Sequence, residues 1–183
     1  MKLFKLQQFC YHSMKIVSKK TKHLTKDLKD KICKLKDTYW KHGLKSNRKW
    51  FEKFVKNNDI NILMFEKKNY KKLIGYTLLR IRKYKKFDYC GNYFYLDTLI
   101  VKKNFRGKNL SKSLMKENNK IIKKNKLPAF LICEKPLINF YKQHSWKLLK
   151  NIHFEMLDHD QKKKRGMVYN FNKKHSNIKF YIY

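Results

Sequence analysis

The sequence predicts a single domain of the α/β (α+β) class with a central mixed sheet. Three observations support this class: the length of 183 residues, the hydrophobic content of 42%, and apolar periods that change from helical to extended along the chain. A chain of this length usually folds as one domain, and this apolar content is enough for a core. A disordered basic tail is therefore excluded, and we expect one domain over residues 1–183.

The first part of the chain predicts an edge strand at residues 15–18, followed by two helices. One face of the first helix carries apolar residues at helical spacing: Leu24, Leu28, Ile32, Leu35 and Tyr39. Gly43 is predicted to end this helix, and Ser46 to cap the second. The buried side of the second helix is expected to carry Trp50, Phe51, Phe54 and Val55.

Strand signals dominate the rest of the chain. Residues 60–66 and 73–82 predict a hairpin, and residues 93–101, after a connection that ends at Gly91 and Asn92, predict a central strand because they are almost continuously apolar. The remaining predicted elements are a helix from Leu110, a strand at 129–133, a short helix from Pro136, and late strands at 146–149, 167–171 and 178–182. Residues 162–165 are predicted to lie in a polar loop.

The charge is the most extreme feature of the composition. Lys and Arg number 47 and Asp and Glu 13, which gives a net charge of +34. A field of one sign attracts anionic partners, nucleic acid above all. However, 42 of the 47 cations are Lys, and Asn, Ile and Tyr are abundant while Gly and Pro are scarce. An A+T-rich genome produces this composition without selection for binding, so nucleic-acid binding is predicted only through non-specific charge.

Other residue types limit the function further. Neither a disulfide framework nor a zinc site is predicted from Cys10, Cys33, Cys90 and Cys133, and no metal from the loop residues His153, Asp158, His159 and Asp160. No apolar run of about 20 residues predicts a membrane span. We expect an intracellular, cytoplasmic protein, and its oligomeric state is open, with a homodimer among the alternatives.

The segment from Leu96 to Ser111 reads as strand, basic turn and helix. Such a turn leaves backbone N–H groups unpaired at the positive end of the helix, where they can hold a diphosphate. Several lysines surround it: Lys102, Lys103, Lys108 and Lys112. Asn109 tolerates the left-handed backbone that such a turn requires. The alternative interpretation is an ordinary strand-to-helix connection in a Lys-rich protein.

This segment resembles the cofactor-binding motif of the GNAT superfamily of acyl-CoA N-acyltransferases, in which a strand ending in Val precedes (Gln/Arg)-x-x-Gly-x-(Gly/Ala). The six positions are Arg106-Gly107-Lys108-Asn109-Leu110-Ser111, with Asn109 and Ser111 in the two small-residue positions. Phe140 to Trp146 is similar to the family's Phe-Tyr-x-x-x-Gly-Phe segment, with Ser145 in place of Gly. The resemblance covers a core of about residues 15–172.

The resemblance implies a GNAT-like fold: a mixed, mostly antiparallel sheet of six to seven strands flanked by about four helices. It also implies acetyl-CoA as the acyl donor. The edge of the strand at Leu99, Ile100 and Val101 would bind the pantetheine arm in the gap where the family's fourth and fifth strands separate. The turn from Arg106 to Ser111, through Gly107, Lys108, Asn109 and Leu110, would bind the diphosphate.

The resemblance also points to catalytic residues. A backbone N–H near Leu99 would polarise the thioester carbonyl, and Tyr141 matches the family's frequent general acid, although it is equally compatible with a core aromatic. Asp97 is the nearest candidate for a general base, but it also suits a capping or ion-pairing role, and water can replace a base.

The leading hypothesis is an N-acetyltransferase that transfers an acetyl group to a primary amine by direct attack, on a protein, a peptide or a small amine. The alternatives are a basic nucleic-acid-binding protein on a catalytically inactive GNAT-like scaffold, and an acetyl-CoA sensor without turnover.

Overall fold

The computed structural model describes residues 14–66, 69–86, 89–149, 154–156, 164–171 and 178–182. These residues form four α-helices: α1 (Lys26–Trp40), α2 (Leu44–Phe54), α3 (Leu110–Asn125) and α4 (Ile138–Lys142). They also form three 3-10 segments: η1 (Thr21–His23), η2 (Lys103–Phe105) and η3 (Lys135–Leu137). In the described part of the chain, no helix is long and apolar enough to cross a membrane.

The strands among the described residues are β1 (Met14–Lys20), β2 (Ile60–Glu66), β3 (Asn69–Lys86), β4 (Tyr89–Val101), β5 (Ala129–Glu134), β6 (Lys147–Leu148), β7 (Phe154–Met156), β8 (Lys164–Tyr169) and β9 (Ile178–Phe180). Pairing is antiparallel for β1 with β2, β3 with β9, and β8 with both β5 and β6. It is parallel for β4 with β5 and for β7 with β9. The predicted α+β class with a mixed, mostly antiparallel sheet is confirmed.

The described residues group into two compact units. The first contains residues up to Leu78 together with Thr98–Leu114, and its strand order is β1-β2-β3-β4. The helices α1 and α2 bury one apolar cluster with these strands: Leu24, Ile32, Cys33, Leu35, Phe51, Val55, Leu63, Phe65, Leu73, Tyr76, Leu78 and Ile100. Burial of each large aliphatic side chain contributes about 1.5–3 kcal/mol, so this cluster fixes both helices to the sheet.

The second unit contains Leu79–Asp97 and the chain from Met115 onward, with strand order β3-β4-β5-β8-β6. Its core is aromatic: the rings of Phe130 and Phe180 stack with centroids 4.0 Å apart and planes at 6°. The last strand β9 supplies Phe180 and pairs with the end of β3, and the hydroxyl of Tyr93 donates a hydrogen bond of 2.9 Å to the Tyr181 carbonyl. The predicted last strand is therefore present, and its side chains pack in this core.

Two predicted helix features were wrong. The first helix ends at Trp40, with Lys41 in the left-handed conformation, and Gly43 does not end it but is the N-cap of α2 at φ 83°. Ser46, the predicted cap, lies inside α2. The carboxylate of Asp37 explains the early start, because it accepts hydrogen bonds from the Gly43 N–H at 2.7 Å and from the Asn47 side chain at 3.0 Å.

Other differences concern where two strands begin and how many strands there are. Gly91 and Asn92 belong to β4, because this strand begins at Tyr89. Lys164 and Arg165, predicted in a polar loop, begin β8. The described residues form nine strands, more than the six to seven that the resemblance implies, and one of the additional strands is β7, three residues long in a segment predicted as a polar loop. Residues 162–163 and the four loop residues considered for a metal lie outside the described part of the chain.

Candidate active site

The turn between β4 and α3 lies in the first unit and has two left-handed residues. Gly107 has φ 77° and Asn109 has φ 56°, so the left-handed backbone predicted at Asn109 is confirmed. Glycine adopts this conformation without steric cost, and asparagine is one of the few other residues that visit it readily. A side chain at Gly107 would meet no atom within 4 Å, so the space above this residue is open.

Hydrogen bonds fix the turn to the sheet. The Lys102 N–H donates to the Ile74 carbonyl of β3 at 2.8 Å, and the Phe105 N–H donates to the Lys102 carbonyl at 2.8 Å. The Arg106 Nε donates back to the carbonyl of Val101 at 3.1 Å. The side chain of Arg106 therefore closes the turn onto the end of β4.

The helix α3 begins directly after the turn and is held close to β3. A Cβ atom at Gly75 would lie only 3.2 Å from the Leu114 Cδ1 and 3.3 Å from the Met64 Cβ, so glycine permits this close packing. The N–H groups of Lys112 and Ser113 both donate to the Asn109 carbonyl. By contrast, the N–H groups from Gly107 to Ser111 make no hydrogen bond within the described residues.

These free N–H groups lie at the positive end of a 16-residue helix. Helix N-termini carry about half a positive elementary charge, and their unpaired donors bind anions. Gly107, Lys108 and Asn109 are exposed, whereas Leu110 is buried and anchors the first turn of the helix. The predicted diphosphate residues are therefore brought together in a turn that has the geometry of an anion site.

Residues Leu99, Ile100 and Val101 form the end of β4. Ile100 and Val101 are buried, and Leu99 is half-buried. The parallel register of β4 with β5 pairs only Phe94 with Ala129 and Tyr95 with Phe130. Leu99 to Val101 lie beyond the residues that this register pairs, and their assignment to the pantetheine arm stays a prediction.

Tyr141 lies in the second unit, at the end of α4. The Trp146 N–H donates to the Tyr141 carbonyl at 3.2 Å and the Ser145 N–H to the Lys142 carbonyl at 2.9 Å, while Ser145 is left-handed at φ 66°. This pair of bonds around a left-handed residue is the Schellman motif, which usually has glycine at that position. The rings of Tyr141 and Trp146, with centroids 6.3 Å apart, supply the apolar contact that accompanies the motif.

Trp146 fixes this helix end to its surroundings. Its Nε1 donates to the Asn119 Oδ1 at 3.0 Å, the Asn119 Nδ2 donates to the His144 carbonyl at 2.9 Å, and its ring stacks on Tyr169. Tyr141 is 8% exposed within this aromatic group. The packing is compatible with both roles that the sequence left open for Tyr141, the core aromatic and the acid.

Asp97 forms an ion pair with Arg80, a partner that was not predicted from the sequence. The Arg80 Nη1 donates to its Oδ2 at 2.6 Å, with side-chain exposures of 1% for Arg80 and 13% for Asp97. The ion-pairing alternative thus has a named partner. The sequence signal for it was one cation and one anion, each inside an apolar strand, where a charge needs a partner.

The cysteine thiols of the described core are poor nucleophiles. Burial raises the pKa of Cys133 to about 11, with the charge of Glu134 as a further cause, and burial also raises the pKa of Cys33. Since the thiolate is the reactive form, neither side chain is activated for acyl transfer. Among the described residues, no group of three or more His, Cys, Asp or Glu side chains could hold a metal ion.

Comparison with known proteins bears on both the fold and the turn. A family model described as the acetyltransferase (GNAT) family matches residues 27–146, well over half of the chain, including the turn and the end of α4. No curated protein gives a significant sequence match.

Solved structures match over most of their length. YhbS from Escherichia coli, a GNAT family N-acetyltransferase in complex with CoA, has a TM-score of 0.68 at 11% identity, covering 93% of this chain and 90% of that one. ElaA from Escherichia coli has a TM-score of 0.63 at 16% identity over 85% and 98%. NAA60 from Arabidopsis thaliana, in complex with a bisubstrate analogue, has a TM-score of 0.62 at 15% identity over 86% and 100%. At these identities the likeness establishes a shared fold.

Proposed function

Because the chain belongs to the acetyltransferase (GNAT) family, we propose that it is an acetyl-CoA-dependent N-acetyltransferase that acts on a primary amine by direct attack. The observation that carries the proposal is the turn before α3, with its left-handed Gly107 and Asn109 and its unpaired N–H groups. The complex of YhbS with CoA supports the choice of ligand.

The turn is the proposed holder of the coenzyme diphosphate. The N–H groups from Gly107 to Ser111 donate to phosphate oxygens, and the surrounding lysines add positive charge. These lysines are Lys102, Lys103, Lys108 and Lys112. The backbone edge at Leu99, Ile100 and Val101 binds the pantetheine arm. Arg106, held by the Val101 carbonyl, keeps the strand end and the turn in one arrangement.

Acetyl-CoA supplies an acetyl thioester that a neutral amine can attack. A backbone N–H near Leu99 donates to the carbonyl oxygen, where negative charge develops. The amine nitrogen bonds to the carbonyl carbon, the carbon–sulfur bond breaks, and the Tyr141 hydroxyl gives its proton to the departing sulfur. Burial raises the pKa of Cys33 and of Cys133, which disfavours these two thiols as carriers of the acetyl group.

The proton of the amine needs an acceptor, and Asp97 is one of two candidates. Protonation of Asp97 would remove the charge that faces Arg80 at 2.6 Å, and a buried guanidinium that loses its counter-charge is costly. A water molecule is the second candidate.

The amine that receives the acetyl group is not expected to be strongly cationic. The net charge of +34 on the protein would repel such an amine.

The test is a thermal shift experiment with acetyl-CoA, CoA and a short DNA duplex, at low and at high salt. At a ligand concentration of 100 times Kd, binding adds about 2.7 kcal/mol of stability, which raises Tm by about 5–11 °C for a chain of this size. Acetyl-CoA is expected to stabilise at both salt concentrations. If DNA alone stabilises, and only at low salt, the chain is the basic nucleic-acid-binding protein on an inactive scaffold.

Turnover is tested by CoA release in the presence of a panel of amines. Tyr141→Phe is expected to slow release, whereas Tyr169→Phe, a buried tyrosine that also contacts Trp146, should leave it unchanged. A rate for Tyr141→Phe equal to that of the wild type would remove Tyr141 from the mechanism. Binding without release for every amine would favour the acetyl-CoA sensor.

A further inference from the structure

The helix α4, which carries Tyr141, is only five residues long. Its own hydrogen bonds hold it weakly, since helices shorter than about 12–15 residues are marginal without tertiary contacts. The carbonyl of Tyr141 accepts hydrogen bonds from two residues after the helix, from the His144 N–H at 2.9 Å and from the Trp146 N–H at 3.2 Å. The position of Tyr141 therefore depends on what holds His144 and Trp146.

One side chain of α3 holds both of these residues. The Asn119 Oδ1 accepts a hydrogen bond of 3.0 Å from the Trp146 Nε1. The Asn119 Nδ2 donates a hydrogen bond of 2.9 Å to the His144 carbonyl. An amide carries an acceptor and a donor on one carbon, so a single side chain can bind both groups. We call Asn119, His144 and Trp146 together the amide clamp.

The amide clamp uses a group that the family's motif does not supply. Trp146 stands where the Phe-Tyr-x-x-x-Gly-Phe segment has phenylalanine, and a phenylalanine ring has no N–H to donate to Asn119. Trp146 is 1% exposed, and an indole N–H buried without a partner would destabilise the fold. Asn119 therefore satisfies the donor that this tryptophan introduces.

We propose that Asn119 is a positioning residue for Tyr141, an inference that rests on the proposed function. Asn119 acts through His144 and Trp146, which hold the backbone from which the Tyr141 side chain projects. Proton transfer requires the Tyr141 hydroxyl within about 2.6–3.2 Å of the departing sulfur. A displacement of about 1 Å can cost about 100-fold in rate. Loss of the amide clamp therefore slows acetyl transfer and leaves the affinity for the coenzyme unchanged.

The test compares three variants. Asn119→Leu removes both hydrogen bonds of the amide clamp and keeps about the volume of the side chain. Trp146→Phe removes only the bond from the Trp146 Nε1 and introduces the motif residue. Asn125→Leu is the matched control, because the Asn125 Nδ2 makes its hydrogen bond inside α3, to the Ile121 carbonyl at 2.8 Å.

The single-turnover rate of acetyl transfer, followed as CoA release, is expected to fall by about 10- to 100-fold in Asn119→Leu. It should fall by a smaller factor in Trp146→Phe, which keeps the bond from Asn119 to the His144 carbonyl. The calorimetric Kd of CoA should stay at the wild-type value in both variants, because other residues fix the coenzyme turn. Asn125→Leu should keep both the rate and the Kd.

A double-mutant cycle with Tyr141→Phe separates positioning from a general loss of stability. If Asn119 acts through the Tyr141 hydroxyl, Asn119→Leu should not lower the rate further once that hydroxyl is absent. Its effect on Tm should be the same with and without the hydroxyl. Should Asn119→Leu fail to fold, Trp146→Phe takes its place in the cycle.

The outcomes separate the inference from the proposed function. If the wild type releases no CoA with any amine, the proposed function fails and the inference fails with it. If Tyr141→Phe keeps the wild-type rate, Tyr141 is not the acid and Asn119 has no acid to position. If the wild type and Tyr141 behave as proposed, an equal loss of rate from Asn119→Leu in both backgrounds overturns the inference alone, since the amide clamp would then serve only stability. A wild-type rate in Asn119→Leu also overturns it.

Discussion

The ion pair between Arg80 and Asp97 gives the sharpest prediction, because it tests stability and mechanism together. Asp97→Asn keeps the shape of the side chain but removes the charge 2.6 Å from the Arg80 Nη1. Arg80 is 1% exposed, and breaking a buried pair costs about 3–5 kcal/mol. For a chain of this size, 1 kcal/mol shifts Tm by about 2–4 °C, so we expect Tm to fall by about 6–20 °C.

The matched control is the exposed ion pair between Lys72 and Glu66. Its N···O distance is 2.8 Å, but its side chains are 41% and 28% exposed. Exposed pairs contribute about 0–1 kcal/mol, so Glu66→Gln should lower Tm by at most about 4 °C. Thermal unfolding of both variants decides the point. Equal Tm values would refute the reasoning that burial makes the Arg80 pair strong.

The same variant tests the base. If Asp97 only pairs with Arg80, Asp97→Asn at a temperature well below its Tm should retain CoA release and the pH profile of kcat. If Asp97 is the proton acceptor, kcat should fall by a factor of about 100 or more, the usual contribution of a general base.

Three further predictions concern the turn, the end of α4 and a thiol. Gly107→Ala has room for its Cβ, so only the left-handed backbone opposes it, at about 1–2 kcal/mol. Alanine, unlike asparagine, rarely visits the left-handed region, so the turn should relax and redirect its N–H groups. CoA binding should therefore weaken in calorimetry, and an unchanged Kd would argue against the diphosphate site. Ser145→Gly should raise the free energy of unfolding by about 0.5–1 kcal/mol, because φ is 66°, while Ser113→Gly inside α3 should lower it; the same sign for both would contradict this. Burial raises the pKa of Cys133 from 9.0 to about 11, so the unfolded chain loses that proton first as pH rises. The contribution of this thiol to the free energy of unfolding is therefore fully present below pH 9 and falls between pH 9 and 11. In Cys133→Ala, the free energy of unfolding measured in urea should fall less steeply over that pH range, and turnover should be intact at neutral pH. A fall as steep as in the wild type would show that the thiol is not its source.

Features that depend on neighbouring residues could be predicted from the sequence. The left-handed backbone at Asn109 follows from the chemistry of one side chain in one turn, and β2 has the predicted bounds because Ile62 to Phe65 are continuously apolar. The predicted face of α1 is correct for Ile32 and Leu35, which are buried, and Leu24, also buried, lies just before the helix begins. Local backbone conformation and the spacing of apolar residues can therefore be predicted from the sequence without knowledge of the fold.

Features that depend on which strands and helices meet could not be predicted. Arg80 and Asp97 are 17 residues apart, and only the pairing of two strands brings their side chains together. Tyr39 lies on the predicted face, but the helix extends past the buried cluster of its unit, so its ring meets Arg106 instead. The partner of a side chain is set by register and by element length, and a single sequence carries neither.

The residues that differ from the family's motifs are weak arguments against an acyl-CoA site, because their backbone conformation matches what the motif glycines adopt. Asn109 and Ser145 stand where the motifs have glycine, and both are left-handed, at φ 56° and 66°. What the proposed diphosphate site requires at Asn109 is the direction of the following N–H groups, which depends on φ and ψ and not on the side chain. Asparagine and serine adopt that backbone at a cost of about 1–2 kcal/mol or less, a small fraction of the stability of a folded domain. The mismatched residues therefore lower stability slightly, and Asn109 leaves the backbone N–H groups of the turn in place. The specific signal for an acyl-CoA ligand is the backbone conformation of this turn. The net charge of +34 adds only a general attraction for anions.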